Sequence, residues 1–405
     1  MKKQYLIVLI FAGLLTVFNA CQKQNGAAYK ALIVTGQNNH HWKSSSPILK
    51  DLLEQTGLFS AEIAQSPDKG GDMNTFNPDF SKYSVVVIDY NGDSWSEKTK
   101  SAFVDYVNNG GGLVVYHAGD NTFPEWKEYN LMIGLGGWGD RNEKDGPYMY
   151  YRHDSLIIDS SAGRGGNHGK RHEFELIARN TEHPITKGLP KHWIHGADEL
   201  YAQLRGPGKN MEILATAYSD TAKGGTGRDE PLLMALSYGK GRIFHTALGH
   251  ADEDGGPALE CVGFITTFQR GAEWAATGKV TQKVPYDFPT QTGSSLRPDF
   301  KVLTVEGDLA KIAQYDITKS TKYYSDLQSH IRYEAKTPAD YQAFEKQIIK
   351  VLESSEASED GKKLLLREIS WMGSDLSIPV IKELAKNEKL KDVAEYALAR
   401  LQPSK

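Results

Sequence analysis

Three apolar runs with no polar alternation constrain this chain more than any other feature. Lys30-Ala-Leu-Ile-Val-Thr35 is closed by Gly36, Tyr83-Ser-Val-Val-Val-Ile-Asp89 ends on a carboxylate, and Gly112-Leu-Val-Val-Tyr116 stops at His117. A strand wetted on one side alternates polar and apolar residues, whereas an unbroken apolar run is buried on both faces. Helical patterns separate these runs. After the first, Ser44-Ser-Ser46 offers an N-cap, with Pro47 at the first helical position. Ile48, Leu49, Leu52 and Leu53 then recur at helical spacing until Gly57. Residues 59–64 suit a second strand, and 96–109 a helix with Ala102, Phe103, Tyr106 and Val107 on one face. The alternation predicts an α/β fold with a doubly wound, mostly parallel sheet covered on both sides.

The remainder divides by composition. Residues 125–210 are rich in Gly, His, Trp and Tyr, with strand-like pieces at 148–158, 172–178 and 199–204. They suit an insertion over the sheet's edge or mouth. A strand follows at 211–219. Residues 231–238 and 242–248 flank Gly239-Lys-Gly241, which suits a hairpin better than an anion cradle. A helix over 258–276 closes a domain running from 30 to 278. Residues 279–300 hold the prolines and serines of a linker. The tail, 301–405, is charged and helical, with short amphipathic helices at 339–354, 361–372, 378–387 and 392–401. It predicts a C-terminal small α-helical domain, and its last helix resembles those of HEAT-type repeats.

The first residues address the compartment. Met1-Lys2-Lys3 is basic, residues 5–18 are apolar, and Asn19-Ala20-Cys21 ends the run. That stretch is too short to span a bilayer comfortably and resembles a lipoprotein signal peptide, 1–21, with Cys21 as the lipidated N-terminus. Residues 22–29 form a tether. The expectation is a periplasm-facing lipoprotein, held to the membrane through its lipid anchor. Cys261 is the one other cysteine, so no internal disulfide exists, and its apolar surroundings suit a buried inert thiol. Lys plus Arg number 47 against 51 Asp plus Glu, leaving −4 with no basic block. Nucleic acid is an unsuitable partner for such a surface.

Ligands of open α/β sheets sit beyond the carboxyl ends of the strands. Three loops at such ends carry histidine: Asn38-Asn-His40-His-Trp42, the turn starting at His117, and Gly249-His250-Ala-Asp252. Imidazole can exchange protons near neutral pH and is a common ligand for zinc-like ions. His192 with His195, and His168 with His172, have local two-histidine spacing but lie in the irregular insertion. Eleven of the twelve histidines precede the tail, which places the chemistry in the front domain.

A resemblance emerges from an ordered set of motifs. These are Gly36-Gln-Asn-Asn-His40, Gly110-Gly-Gly-Leu-Val-Val-Tyr-His117-Ala-Gly119, His183-Pro-Ile-Thr-Lys-Gly-Leu-Pro190, Asp198-Glu-Leu-Tyr201 and Tyr238-Gly-Lys-Gly-Arg-Ile-Phe-His-Thr-Ala-Leu-Gly-His250. Together they resemble the trehalose-utilisation (ThuA-like) family over roughly 30–278. The resemblance implies a flavodoxin-like core akin to class I glutamine amidotransferases, and a role in sugar metabolism beside enzymes that make 3-keto sugars. Amidotransferases carry a cysteine on the turn after the central strand; here that turn is Tyr116-His117-Ala118-Gly119, so thiol-based acyl transfer is excluded. One departure is Gly136-Gly-Trp-Gly-Asp-Arg141, where many members carry a further histidine.

What remains is acid–base or metal-assisted work. His117 and His40 are the expected central pair, joined by His250, with Glu199 and Asp198 as candidate carboxylates. The alternative for Asp198-Glu199 is a turn before Leu200. His40, His117 and His250 with a carboxylate would also suit a divalent metal. Elimination, isomerisation or hydrolysis of a glycoside or 3-keto sugar all fit. The rival expectation is a non-catalytic carbohydrate-binding or scaffold lipoprotein, its helical tail docking a protein partner.

Overall fold

The computed structural model describes residues 27–300 and 304–402; the leader with Cys21 lies outside them. The described residues form eleven strands and eleven α-helices. The first half runs β1 (Tyr29–Thr35), α1 (Trp42–Gln55), β2 (Phe59–Gln65), β3 (Val85–Ile88), α2 (Glu97–Asn108), β4 (Gly112–Tyr116) and α3 (Lys127–Ile133). The insertion and the return follow as β5 (Tyr148–Arg152), β6 (Ser155–Asp159), β7 (His172–Ala178), β8 (His192–Asp198), β9 (Met211–Tyr218), β10 (Asp229–Tyr238) and β11 (Gly241–Thr246). Two helices, α4 (Gly256–Glu260) and α5 (Val262–Thr277), close this part.

All the strands join one sheet, ordered β2-β1-β3-β4-β11-β10-β9-β7-β8, with the β5–β6 hairpin attached through β10. The first five are parallel, with Ala31 beside Val85, Val85 beside Gly112 and Leu113 beside Ile243. Beyond β11 every pairing is antiparallel. Every residue of β3 and β4 is buried, so both faces are covered, as their lack of alternation requires. At the edge, β2 mixes buried and exposed positions. The helices α1 and α5 pack on each other and on the central strands. An aromatic group within the same core joins Phe103 of α2, Trp126 just before α3 and Tyr129 of α3.

The structure corrects several local expectations. Helix α1 starts at Trp42, with Ser44, Ser45 and Ser46 inside it and Pro47 a full turn in. Ser45 and Ser46 do not cap, because both hydroxyls donate to the buried carboxylate of Asp89 at the end of β3 (2.6 and 2.8 Å). Residues 199–204 form no strand. The strand of that region is β8, just before them, and 199–204 run on irregularly, with Ala202 bridged to Asn167. The helix expected over 258–276 breaks at Cys261, whose ψ of 122° is extended. There the backbone pairs with the segment after α5: Val262 N–H donates to Ser295 O, and Arg297 N–H to Glu260 O.

Residues 279–300 are therefore a strap stitched to the α/β unit. Ile194 N–H of β8 donates to Thr290 O, Phe288 is buried, and buried Arg297 pairs with Asp287 at 2.7 Å. The tail holds α6 (Val305–Ala313), α7 (Lys322–Glu334), α8 (Pro338–Glu353), α9 (Glu359–Met372), α10 (Ile378–Leu384) and α11 (Lys391–Leu401). The first two were not foreseen from the sequence. The six share their own apolar core around Leu327, Ile348, Leu365, Ile369 and Ile381. Among the described residues, no helix is long and apolar enough to cross a membrane.

Candidate functional site

Four side chains meet over the carboxyl ends of β1, β4, β8 and β11. His40 lies in the loop after β1, His117 is the residue after β4, Glu199 the residue after β8, and His250 follows β11 by four positions. One ligand atom from each falls within 4.8 Å of the others. Glu199 Oε2 is the centre: His250 Nδ1 is 3.3 Å from it, His40 Nε2 3.6 Å and His117 Nε2 3.8 Å. The imidazole centroids of His40 and His117 are 4.7 Å apart, those of His40 and His250 4.8 Å.

Neighbouring groups fix which nitrogen faces inward. His117 Nδ1 lies 2.8 Å from the Ala247 carbonyl, which can only accept, so Nδ1 carries the proton and Nε2 a lone pair. Asn38 Oδ1 accepts the His40 backbone N–H (3.0 Å) and faces His40 Nδ1 at 3.1 Å, while Asn38 Nδ2 donates to Asp89 Oδ1 (3.0 Å). That chain orients the amide and gives His40 the same tautomer. Two lone pairs thus face one carboxylate oxygen. Nε2 of His117 and Nδ1 of His250 are buried with no hydrogen-bond partner. Burial above all pushes His117 down to about 3, so it stays neutral. Burial alone would raise Glu199; the imidazoles of His250, His40 and His117 around it hold its carboxyl well below the usual carboxylate range.

The backbone is shaped for this convergence. His117 has φ of 42°, a left-handed conformation uncommon outside glycine. Its ring stacks on Tyr201 at 4.3 Å. Gly249 has φ of 103°, and a Cβ there would fall 2.7 Å from the rings of Tyr116 and Phe264. Only glycine fits, and the Tyr116 hydroxyl donates to its carbonyl.

Asp198 is not among the converging groups. Its carboxylate is fully buried and accepts from the backbone N–H of Glu199 (2.7 Å), Gly249 (2.7 Å) and His250 (3.1 Å), and pairs with His195 Nε2 at 2.9 Å. Burial would push its carboxyl up; the hydrogen bond and charge of His195 bring it down to about 2. It therefore positions Glu199 and His250 and does not face a ligand.

Neither two-histidine spacing forms a pair. His195 points inward to Asp198 while His192 meets Glu175 at 3.1 Å. His168 comes within 3.9 Å of Glu199 Oε1, whereas His172 Nδ1 faces the Lys170 carbonyl. Cys261 is a buried free thiol, and its sulfur accepts the Gly196 N–H at 3.4 Å. Arg141, in the turn that departs from the family pattern, is buried and donates to the carbonyls of Gly137, Asn121 and Thr122. Sequence reasoning assigned no role to Asn38, Asp89 or Tyr201, and offered His195 only as a partner of His192. Asp89 had a signal, since it ends a central strand. Tyr201 closes the quoted Asp198-Glu-Leu-Tyr motif.

The family model described as trehalose utilisation, ThuA, matches residues 30–275. Among solved structures, a ThuA-like protein from Parabacteroides merdae is 54% identical, with a TM-score of 0.67, over 68% of this chain and 99% of that one. A ThuA-like protein from Bacteroides uniformis is 18% identical, with a TM-score of 0.42, over 63% of this chain and 94% of that one. No curated protein matches the chain. With its parallel sheet core and the match over the whole of that unit, the chain belongs to the ThuA, trehalose-utilisation family.

Proposed function

We propose that His40, His117, His250 and Glu199 hold a divalent cation, and that the site so formed acts on a glycoside or 3-keto sugar. One observation carries this reading: three imidazole nitrogens converge on a single carboxylate oxygen, two of them tautomerically fixed with lone pairs inward. Lone pairs facing an anion repel unless a positive charge lies between them. Ligand atoms about 2.0–2.2 Å from a tetrahedral ion sit roughly 3.3–3.6 Å from one another, close to the 3.3–3.8 Å between Glu199 Oε2 and the three nitrogens, within a set that spans up to 4.8 Å. When bound, such an ion would polarise a sugar carbonyl or hydroxyl as a Lewis acid.

The chain's own residues do the rest. Asn38 and the Ala247 carbonyl keep His40 and His117 in the ligating tautomer, and Asp198 locks the backbone on either side of the cluster. His168 hydrogen-bonds the Gly169 carbonyl through Nδ1 (2.7 Å) and turns Nε2 towards Glu199. Its side chain is 40% exposed, so it is placed to exchange a proton between substrate and solvent. Removal of the proton beside a keto group, with that group held by the cluster, would serve elimination, isomerisation or hydrolysis alike. A leader-like segment ending at Cys21 supports a reaction outside the cytoplasm, on a lipid-anchored protein.

Metal analysis of the purified chain, then a screen of 3-keto-glucosides, tests the proposal. One equivalent of a divalent metal with turnover is expected, both lost in His117→Ala while the far-UV spectrum persists. Full turnover in that variant would remove the assignment.

A further inference from the structure

The tetrad accounts for the polar side of the site but not for the aromatic group beside it. Trp138 sits in the Gly136–Arg141 turn with φ of 51°, a conformation rarely accepted by so bulky a residue. Strained backbone of this kind points to a functional constraint when the surroundings enforce it. Here they do. The Trp138 N–H donates to the Gly165 carbonyl at 3.1 Å, and its carbonyl accepts from Arg141 N–H at 3.1 Å. Gly166 lies so close beneath the indole that a Cβ there would fall 2.6 Å from the ring.

The turn brings the indole to the ligand cluster. Its centroid lies 4.7 Å from Tyr201, which stacks on His117, and 6.1 Å from His168, which faces Glu199. Trp138 is only half-buried, unlike Tyr201. Next to Tyr201 lies a second unexplained group. Asn121 points its amide N–H at the Tyr201 hydroxyl (3.5 Å), and its Oδ1 is buried without a hydrogen-bond partner. A buried acceptor left open suits a ligand hydroxyl.

An apolar flat face beside an open hydrogen-bond acceptor matches the chemistry of a pyranose, whose C–H face packs on aromatic rings while its rim hydroxyls need partners. Resting on the reading of the tetrad as a sugar site, we infer that Trp138, backed by the buried ring of Tyr201, forms the wall on which the sugar ring stacks. Asn121 Oδ1 accepts one of its hydroxyls. The wall fixes which edge of the ring meets the tetrad, so Trp138 determines specificity for pyranosides and takes no part in the proton transfers.

Intrinsic tryptophan fluorescence of the full chain, titrated with methyl glucoside, trehalose and a methyl 3-keto-glucoside, tests this beside calorimetry with zinc alone. Trp138→Asn keeps a residue that accepts the left-handed turn but removes the ring, and Trp138→Phe keeps an aromatic face. Sugar affinity is expected to fall roughly tenfold or more in Trp138→Asn and to be largely retained in Trp138→Phe. Zinc affinity should be the same in all three. Sugar binding by Trp138→Asn within about twofold of the wild type would overturn the wall, since that is less than one stacking contact. So would loss of zinc together with sugar, which would make the residue structural. A wild type that binds zinc but no sugar would fail the sugar reading itself, and the wall with it.

Discussion

The buried carboxylate of Asp198 accepts the backbone N–H of His250 at 3.1 Å, tying the end of one strand to the loop after another. The same group holds the N–H of Glu199. Two members of the tetrad from distant parts of the chain thus share one anchor. Asp198→Asn should lower zinc affinity by roughly 10–100-fold, the usual effect of losing a group that orients ligands. It should also cost about 3–5 kcal/mol of stability, because His195 is left buried without its charge partner. Calorimetry with zinc and chemical denaturation measure the two effects separately.

Asn38→Ala isolates a tautomer. Its amide oxygen faces His40 Nδ1, so without it the ring is free to carry its proton on Nε2, the nitrogen that faces Glu199. The expected result is a fall of about tenfold or more in zinc affinity with little change in Tm. Unaltered affinity would mean that His40 is held by packing alone.

Glu230 gives the clearest pH dependence. It is buried in β10, with the Thr226 hydroxyl on Oε1 at 2.7 Å, and burial pushes its carboxyl up from 4.5 to about 7. The folded state therefore holds the proton more tightly than the unfolded chain. Its stabilising contribution is complete below about pH 4.5 and is lost as pH rises through about 7. Glu230→Gln removes that loss while keeping the acceptor for Thr226. The variant should match the wild type at pH 4.5 and exceed it above pH 7 by up to roughly 3 kcal/mol. Thermal unfolding across that range is the measurement.

Gly249→Ala should be costly out of proportion to one methyl group. Strain at positive φ and the clash with Tyr116 and Phe264 together predict a loss of roughly 2–4 kcal/mol. Because the turn delivers His250, zinc binding should weaken in the same variant.

The parallel half of the sheet was legible because burial on both faces leaves a mark in sequence: β3 and β4 contain no polar position for water to claim. The candidate cluster was legible for a related reason, since His40, His117 and His250 all lie in loops that leave strands of the central sheet. Asp198 misled for a physical reason. Adjacent carboxylates look alike in sequence, and only the turn after β8 decides that Glu199 faces out and Asp198 faces in. The start of α1 misled likewise. Ser45 and Ser46 have the composition of a cap, yet a carboxylate more than forty residues away recruits them. Long-range partners of that kind leave no local pattern.

The strap after α5 changes where this molecule can be divided. A fragment ending at 278, where composition suggests a boundary, would leave β8 without its pairing at Thr290 and Cys261 without its bridge to Leu296. Since β8 leads directly into Glu199, such a truncation would loosen the ligand cluster from behind. Fragments meant to isolate the α/β unit should end after residue 300, and any loss of zinc binding in shorter ones would say nothing about the helices beyond.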